Sequence, residues 1–200
     1  MRRTFSAQPQ IRLSPEEYLA LERNAETKSE YFNGETFAMA GASPQHVLIV
    51  TNVAAELRNQ LKKRPCTVYS TDLRVKISPT GLYTYPDVVV VCGKPQFNDE
   101  HEDTLLNPIL IVEVLSESTA DYDRGSKFAH YRMLESFQEY LLIAQDQYHV
   151  EQVVRQPDNR WLLSETNRWE DRITLTSINC VLPLVEIYEK VDIPNKHPVL

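Results

Sequence analysis

Tyr85-Pro86-Asp87-Val88-Val89-Val90-Val91-Cys92 and, downstream, Ile109-Leu110-Ile111-Val112-Glu113-Val114-Leu115-Ser116 are the two stretches that decide the fold. Each is an apolar run of strand length that carries a single acid. Runs of this kind read as strands buried on both faces. An ionised carboxylate in that setting is very costly unless it is paired or coordinates a metal. Two such acids on two such runs point to one divalent-metal site. Hard oxygen donors suit magnesium or manganese, and suit zinc poorly without histidine or cysteine beside them. Taken singly, Asp87 could cap a turn after its proline, and Glu113 could pair with a buried arginine or lysine.

The rest of the chain is organised around these runs. Ser14-Pro15-Glu16-Glu17 is a helix start with a capping box, and the helix is expected to run to about Asn24. Asn33-Gly34 sits between Glu30-Tyr31-Phe32 and Glu35-Thr36-Phe37-Ala38-Met39, which predicts a hairpin from Lys28 to Met39. A second helix starts at Ser43 and carries Val47, Val50, Val53, Ala54, Leu57 and Leu61 at helical spacing until Pro65 stops it. Strands are predicted at Thr67 to Ser70, Leu73 to Ile77 and Pro86 to Val91, with Pro79-Thr80-Gly81 as the turn between the last two. Gly93 to Asn107 reads as a polar loop, and Pro108 to Leu115 as the second acid-bearing strand. A helix over Ser118–Ser136 and a buried strand over Glu139–Ala144 follow. Val150 to Arg155 and Arg160 to Ser164 form a hairpin around Pro157-Asp158-Asn159. Short strands and turns continue to about Lys190, and Ile193 to Leu200 reads as a loose tail.

The pattern predicts a single α/β domain over residues 1–200. Its core, about residues 43–145, runs helix, three strands, helix, strand around a mixed central sheet. An N-terminal helix and hairpin precede that core and a C-terminal β extension follows it.

Composition bounds the function. The 200 residues are 42% apolar and 24% charged, ordinary values for a soluble globular protein. No apolar run approaches a membrane span, and no apolar signal core follows the basic start Met1-Arg2-Arg3, so the expectation is cytoplasmic. The cysteines, Cys66, Cys92 and Cys180, have no metal-ligand spacing, and Cys92 reads as a small core residue. A net charge of −7 argues against loose, sequence-independent binding of nucleic acid, but not against a metal-dependent nuclease. Lys62-Lys63-Arg64 reads as a solvated helix end.

These residues carry a resemblance. Pro86-Asp87, a spacer and Glu113-Val114-Leu115-Ser116 resemble the signature of restriction-endonuclease-like proteins with the PD-(D/E)XK motif. The chain is more closely similar to the Uma-two family within that superfamily. The similarity runs through Tyr31-Phe32-Asn33-Gly34-Glu35, Gly41-Ala42-Ser43-Pro44-Gln45-His46, Tyr85-Pro86-Asp87-Val88, Glu113-Val114-Leu115-Ser116-Glu117-Ser118-Thr119, Asp123 with Lys127, Tyr131, and Glu139-Tyr140. It covers roughly residues 12 to 190. It implies a metal-dependent endonuclease that hydrolyses phosphodiesters, with DNA as partner and Mg2+ or Mn2+ as cofactor. The metal would be held by Asp87, Glu113 and the main-chain carbonyl of Val114. Pairing into a homodimer is implied by the many members of the superfamily that cut two strands. The chain's hint of an interface, Val181-Leu182-Pro183-Leu184-Val185, reads more readily as core.

One position departs from the motif. The superfamily places a lysine two residues after the glutamate, and this chain has Leu115 there. Lys127 is the candidate replacement. It lies one helical turn from Asp123, with Tyr131 next on the stripe; taken alone, Asp123 and Lys127 read as a surface ion pair. Further candidates are Glu35 after the Asn-Gly turn, His46 at the head of the second helix, Glu56 on that helix, and Asp72 at a strand start. The alternative to an enzyme is a lapsed nuclease scaffold that binds nucleic acid or protein.

Overall fold

Alternation along the two acid-bearing runs splits the interior into two cores. The computed structural model describes residues 12–193. The basic start and residues 194–200 of the expected tail lie outside them. Strands β6 (Val88–Cys92) and β8 (Leu110–Leu115) pair antiparallel, with Val88 opposite Val112. β8 pairs in parallel with β9 (Glu139–Ala144). Strand β3 (Cys66–Ser70) closes one edge, and the hairpin of β10 (Val150–Arg155) and β11 (Trp161–Thr166) closes the other. The order is β11-β10-β9-β8-β6-β3, a mixed six-stranded sheet.

Even-numbered residues of β6 and β8, such as Val88, Val90, Leu110, Val112 and Val114, pack under helix α2 (Pro44–Leu61) and the C-terminal segment. Odd-numbered ones, Val89, Val91, Ile111 and Leu115, face a second sheet. That sheet has the order β2-β1-β5-β4-β7, built from β1 (Ser29–Phe32), β2 (Glu35–Ala38), β4 (Arg74–Ile77), β5 (Leu82–Thr84) and β7 (Thr104–Leu105). Asp87 and Glu113 are odd-numbered, so both acids fall on the side between the sheets.

The caps are as read. Ser14 and Glu17 form the capping box of α1 (Pro15–Glu22), and Ser43 Oγ accepts the His46 N–H at 3.1 Å to open α2. Asn33 and Gly34 both have positive φ, which the two-residue hairpin turn requires.

The order helix, three strands, helix, strand holds as α2, β3, β6, β8, a helical segment and β9, with one exchange of members. The strand near Leu73–Ile77 leaves the central sheet as β4, and Pro79-Thr80-Gly81 turns it into β5 of the second sheet. β5 has three residues and β7 has two, too few for alternation to show in the sequence. The helix expected over Ser118–Ser136 is shorter and broken. It consists of α3 (Ala120–Tyr122), a π-helical turn (Asp123–Lys127) and α4 (Phe128–Tyr131).

Cys92 is not a free core thiol. It is disulfide-bonded to Cys66, its partner in the β3–β6 register. Such a bond persists in oxidising settings, whereas the expected cytoplasm would hold two thiols. At the C-terminal end, β12 (Arg172–Leu175), β13 (Cys180–Pro183) and α5 (Leu184–Ile187) cover α2. Leu182 and Leu184 are fully buried there, so the Val181–Val185 stretch is largely core. Among the described residues, no helix is long and apolar enough to cross a membrane.

Candidate active site

The β6–β8 register brings the two acids together. Pairing stops at Val88 opposite Val112, and one further step places Asp87 opposite Glu113. Asp87 replaces the next ladder bond with its own carboxylate: Oδ2 accepts the Val114 N–H at 2.7 Å. The other oxygen, Oδ1, lies 2.9 Å from His46 Nε2, which the capped start of α2 holds over the end of the sheet. Two contacts from different elements thus fix the direction of this carboxylate.

Glu113 is deeper, in the apolar layer between the sheets. Its Oε1 accepts the Tyr131 hydroxyl at 2.8 Å and sits 3.0 Å from Lys127 Nζ. Burial pushes this carboxyl up to about 8, against the opposing pull of the Lys127 ammonium. Lys127 is equally buried. Burial alone would lower its pKa, but Glu113, Glu30 and Asp123 around it outweigh that and hold it well above its ordinary value. Its Nζ lies 3.2 Å from Glu30 Oε1 and 3.3 Å from Asp123 Oδ1. Burial also raises Asp123. Three carboxylates therefore surround one ammonium, with Asp87 beside them. Such a cluster carries more negative than positive charge, and it must retain a proton or attract a cation.

The site floors a cleft of about 1190 Å³ bounded by α2, the β1–β2 hairpin and the broken helix. Its rim exposes Phe37, Met39 and Val47. Among the described residues, no group of three or more His, Cys, Asp or Glu side chains is arranged to hold a metal ion by itself. A cation here would rest on few side-chain ligands and complete its shell with main-chain oxygen, water or phosphate, as magnesium commonly does.

Of the residues singled out in the sequence, Asp87, Glu113, Lys127, His46, Asp123 and Tyr131 meet here. The Asp123–Lys127 pair is buried, not on the surface. Leu115 is core, packed between the sheets, and Lys127 approaches Glu113 from the facing helical segment. Three candidates lie elsewhere. Glu35 pairs with Phe32 at the hairpin turn, outside the cleft lining. Glu56 accepts from Gln60, whose amide also donates to the Val181 carbonyl, and so anchors α2 to β13. Asp72 is exposed and pairs with Lys28.

Glu30 was missed by sequence reasoning. Its hairpin was legible, but a charged residue in a four-residue strand reads as solvated. The signal was its register: Glu30 shares a face with Phe32 and alternates with buried Tyr31.

The comparisons with known proteins agree with this architecture. A crystal structure from Anabaena variabilis ATCC 29413, described as that of a "putative nuclease belonging to DUF820", superposes with a TM-score of 0.68 over 86% of this chain and 96% of that one. Its 18% identity speaks to the fold alone. Two uncharacterized proteins of Synechocystis sp. (strain ATCC 27184 / PCC 6803 / Kazusa) are similar in sequence. The first, sll1609, is 40% identical over 153 residues, covering 76% of this chain and 86% of its own length. The second, slr1290, is 36% identical over 180 residues, covering 90% and 93%. Residues 15–183 match the model of the family described as "Putative restriction endonuclease", and the chain belongs to that family, Uma2.

Proposed function

We propose that the chain is a metal-dependent endonuclease that hydrolyses phosphodiester bonds in DNA. The observation that carries this reading is the convergence of Asp87, Glu113 and Lys127 on one cleft floor, with Lys127 Nζ 3.0 Å from Glu113 although Leu115 fills the usual lysine position. Membership of Uma2 supports it independently.

Asp87, Glu113 and the main-chain carbonyl of Val114 would hold one or two magnesium or manganese ions. The fit rests on their hard oxygens and on the excess negative charge of the cluster. When bound, the metal polarises the scissile phosphate and lowers the pKa of the attacking water. The chain supplies the rest. His46 and the Val114 N–H aim Asp87, while Tyr131 and Lys127 aim Glu113. Lys127 places a fixed positive charge where negative charge develops on the phosphoryl oxygens, in a buried setting that strengthens the effect. With net charge −7, attraction along a phosphate backbone is weak, and the exposed Phe37, Met39 and Val47 of the rim offer apolar surface to bases. Two copies acting as a homodimer would cut both strands.

The test is cleavage of plasmid DNA with Mg2+ or Mn2+, beside calorimetric Mn2+ binding, for wild type, Asp87→Asn, Glu113→Gln and Lys127→Met. Metal binding should vanish in the first two variants and cleavage in all three. An Asp87→Asn protein that cuts at the wild-type rate would sink the assignment. A second reading, a binding module on a lapsed scaffold, is favoured by one observation, the sharing of the Lys127 ammonium among three carboxylates. Wild type that binds DNA without cutting it would select that reading.

A further inference from the structure

Lys127 sits on a short π-helical turn, and a side chain that long needs an anchor outside its own segment to hold one position. Three carboxylates reach its Nζ, and they are not equivalent. Asp123 belongs to the same turn, so it moves with the lysine and cannot tie it to the sheets. Glu113 belongs to the central sheet, but its Oε1 already takes the Tyr131 hydroxyl, and on the reading above its carboxylate also serves the metal. Any share of Glu113 given to a cation is taken from Lys127.

Glu30 has no second duty of that kind. It comes from β1 in the other sheet and is buried. The Thr84 hydroxyl of β5 donates to its Oε1, and the Tyr122 hydroxyl of α3 donates to its Oε2 at 3.0 Å. Donors on both oxygens lock the carboxylate in place, with Oε1 left 3.2 Å from Lys127 Nζ. We propose that Glu30 is the positioning residue for Lys127, the anchor that keeps the ammonium at the site when Glu113 is engaged elsewhere. In this chain the second sheet therefore contributes to the site through a hairpin outside the nuclease core. The catalytic half of this statement rests on the nuclease reading; the anchoring half does not.

The anchoring is read by lysine-selective 1H–15N NMR of side-chain ammonium groups, whose slowly exchanging signals mark a sheltered, hydrogen-bonded NH3+. Lys127→Met assigns the signal. Glu113→Gln keeps position 113 neutral at every pH without any metal. The Lys127 signal should persist in Glu113→Gln and in Glu113→Gln/Asp123→Asn, where Glu30 is the remaining carboxylate. It should be lost in Glu113→Gln/Glu30→Gln, with the backbone amide spectrum reporting that the fold is intact. Loss in Glu113→Gln/Asp123→Asn, or persistence in Glu113→Gln/Glu30→Gln, overturns the proposal. If the Glu30 double variant does not fold, the Asp123 double variant still decides. In cleavage assays, Glu30→Gln should lower kcat about tenfold or more and leave KM and Mn2+ affinity within about twofold, the pattern of a group acting in the transition state. A wild type that never cleaves but shows the expected ammonium pattern would refute the nuclease reading and leave the anchor standing.

Discussion

Arg23, Arg74, Asp99 and Asp103 form one charged cluster, and Glu30, Glu113, Asp123 and Lys127 form another. In the first, two guanidiniums meet two carboxylates: Arg23 lies 2.8 Å from Asp99 and 2.7 Å from Asp103, and Arg74 lies 2.6 Å from Asp103. Arg74 also donates to the Tyr85 hydroxyl and to Thr104. Charge balances, and hydrogen bonds from Arg23 hold both aspartates below the ordinary carboxylate range. In the second, three acids share one ammonium, and burial drives Glu113 the other way, up to about 8. The balanced cluster fastens α1 to the segment between β6 and β8, away from the cleft. The unbalanced one lies on the cleft floor. A fold does not need an unmatched charge in its interior, so the imbalance is itself an argument for a ligand of opposite sign.

The sharpest way to break the contrast is Lys127→Met. It takes the counter-charge from buried Glu30 and Asp123, beside a Glu113 that burial already keeps largely protonated, and should destabilise by about 3–5 kcal/mol at neutral pH, less in acid where the remaining carboxylates protonate. Urea unfolding at two pH values checks both parts.

The next effect is in pH dependence, where the clusters should show opposite signs. Glu113 is an acid with a raised folded-state pKa. Its unfolded form ionises first as pH rises, so stability falls between its ordinary value of 4.5 and about 8, and then levels off. Glu113→Gln should flatten that fall, a gain on the order of a few kcal/mol at pH 8. Asp103 is depressed, so its contribution is present above its ordinary value of 3.8 and is lost in acid. Asp103→Asn should therefore cost stability at neutral pH and little in acid.

Arg74→Met should cost about 2 kcal/mol, less than a fully buried pair, because Asp103 is partly exposed and can rehydrate. Calorimetric melting reads it, and metal binding should not change. Smallest is Asp72→Asn, which removes only an exposed pair with Lys28 and should move stability by less than about 0.5 kcal/mol, with cleavage unchanged.

The same contrast explains what could be read in advance. Asp87 and Glu113 were legible because each interrupts an apolar run, where a charge needs a reason. Lys127 stood out only through the family resemblance and the leucine at the motif's lysine position, with Tyr131 next on its stripe, because spacing alone left Asp123 and Lys127 as a surface pair; Ser43 with His46 followed from a helix start. Glu30 was not legible, because its burial is created by β5 and α3 closing over a short hairpin. Neither β5, with three residues, nor α3, which buries none of its own side chains, has a periodic signal of its own. Arg23 and Arg74 escaped for a similar reason: their partners lie in a segment read as loop, and only tertiary closure joins them. Glu35, Glu56 and Asp72 show the converse error. Each is an acid near a site element in sequence, but Glu35 lies too far along the hairpin toward its turn, Glu56 is engaged by Gln60, and Asp72 is exposed in the bend after β3.

The π-helical turn at Asp123–Lys127 has a consequence for how this site could arise. It houses one residue more than an ordinary helical turn, in a stretch where Gly125 meets no neighbour and faces solvent. In a regular α-helix of the same residue count, at about 100° per residue, Tyr131 would stand eight positions on and roughly 80° around from Asp123. The wider turn takes up that excess, so Asp123, Lys127 and Tyr131 all reach the cluster around Glu113. The site is thus a matter of residue count as much as residue identity. A one-residue insertion taken up as this wider turn leaves the faces on either side in place, so the segment could gain a residue and keep its site.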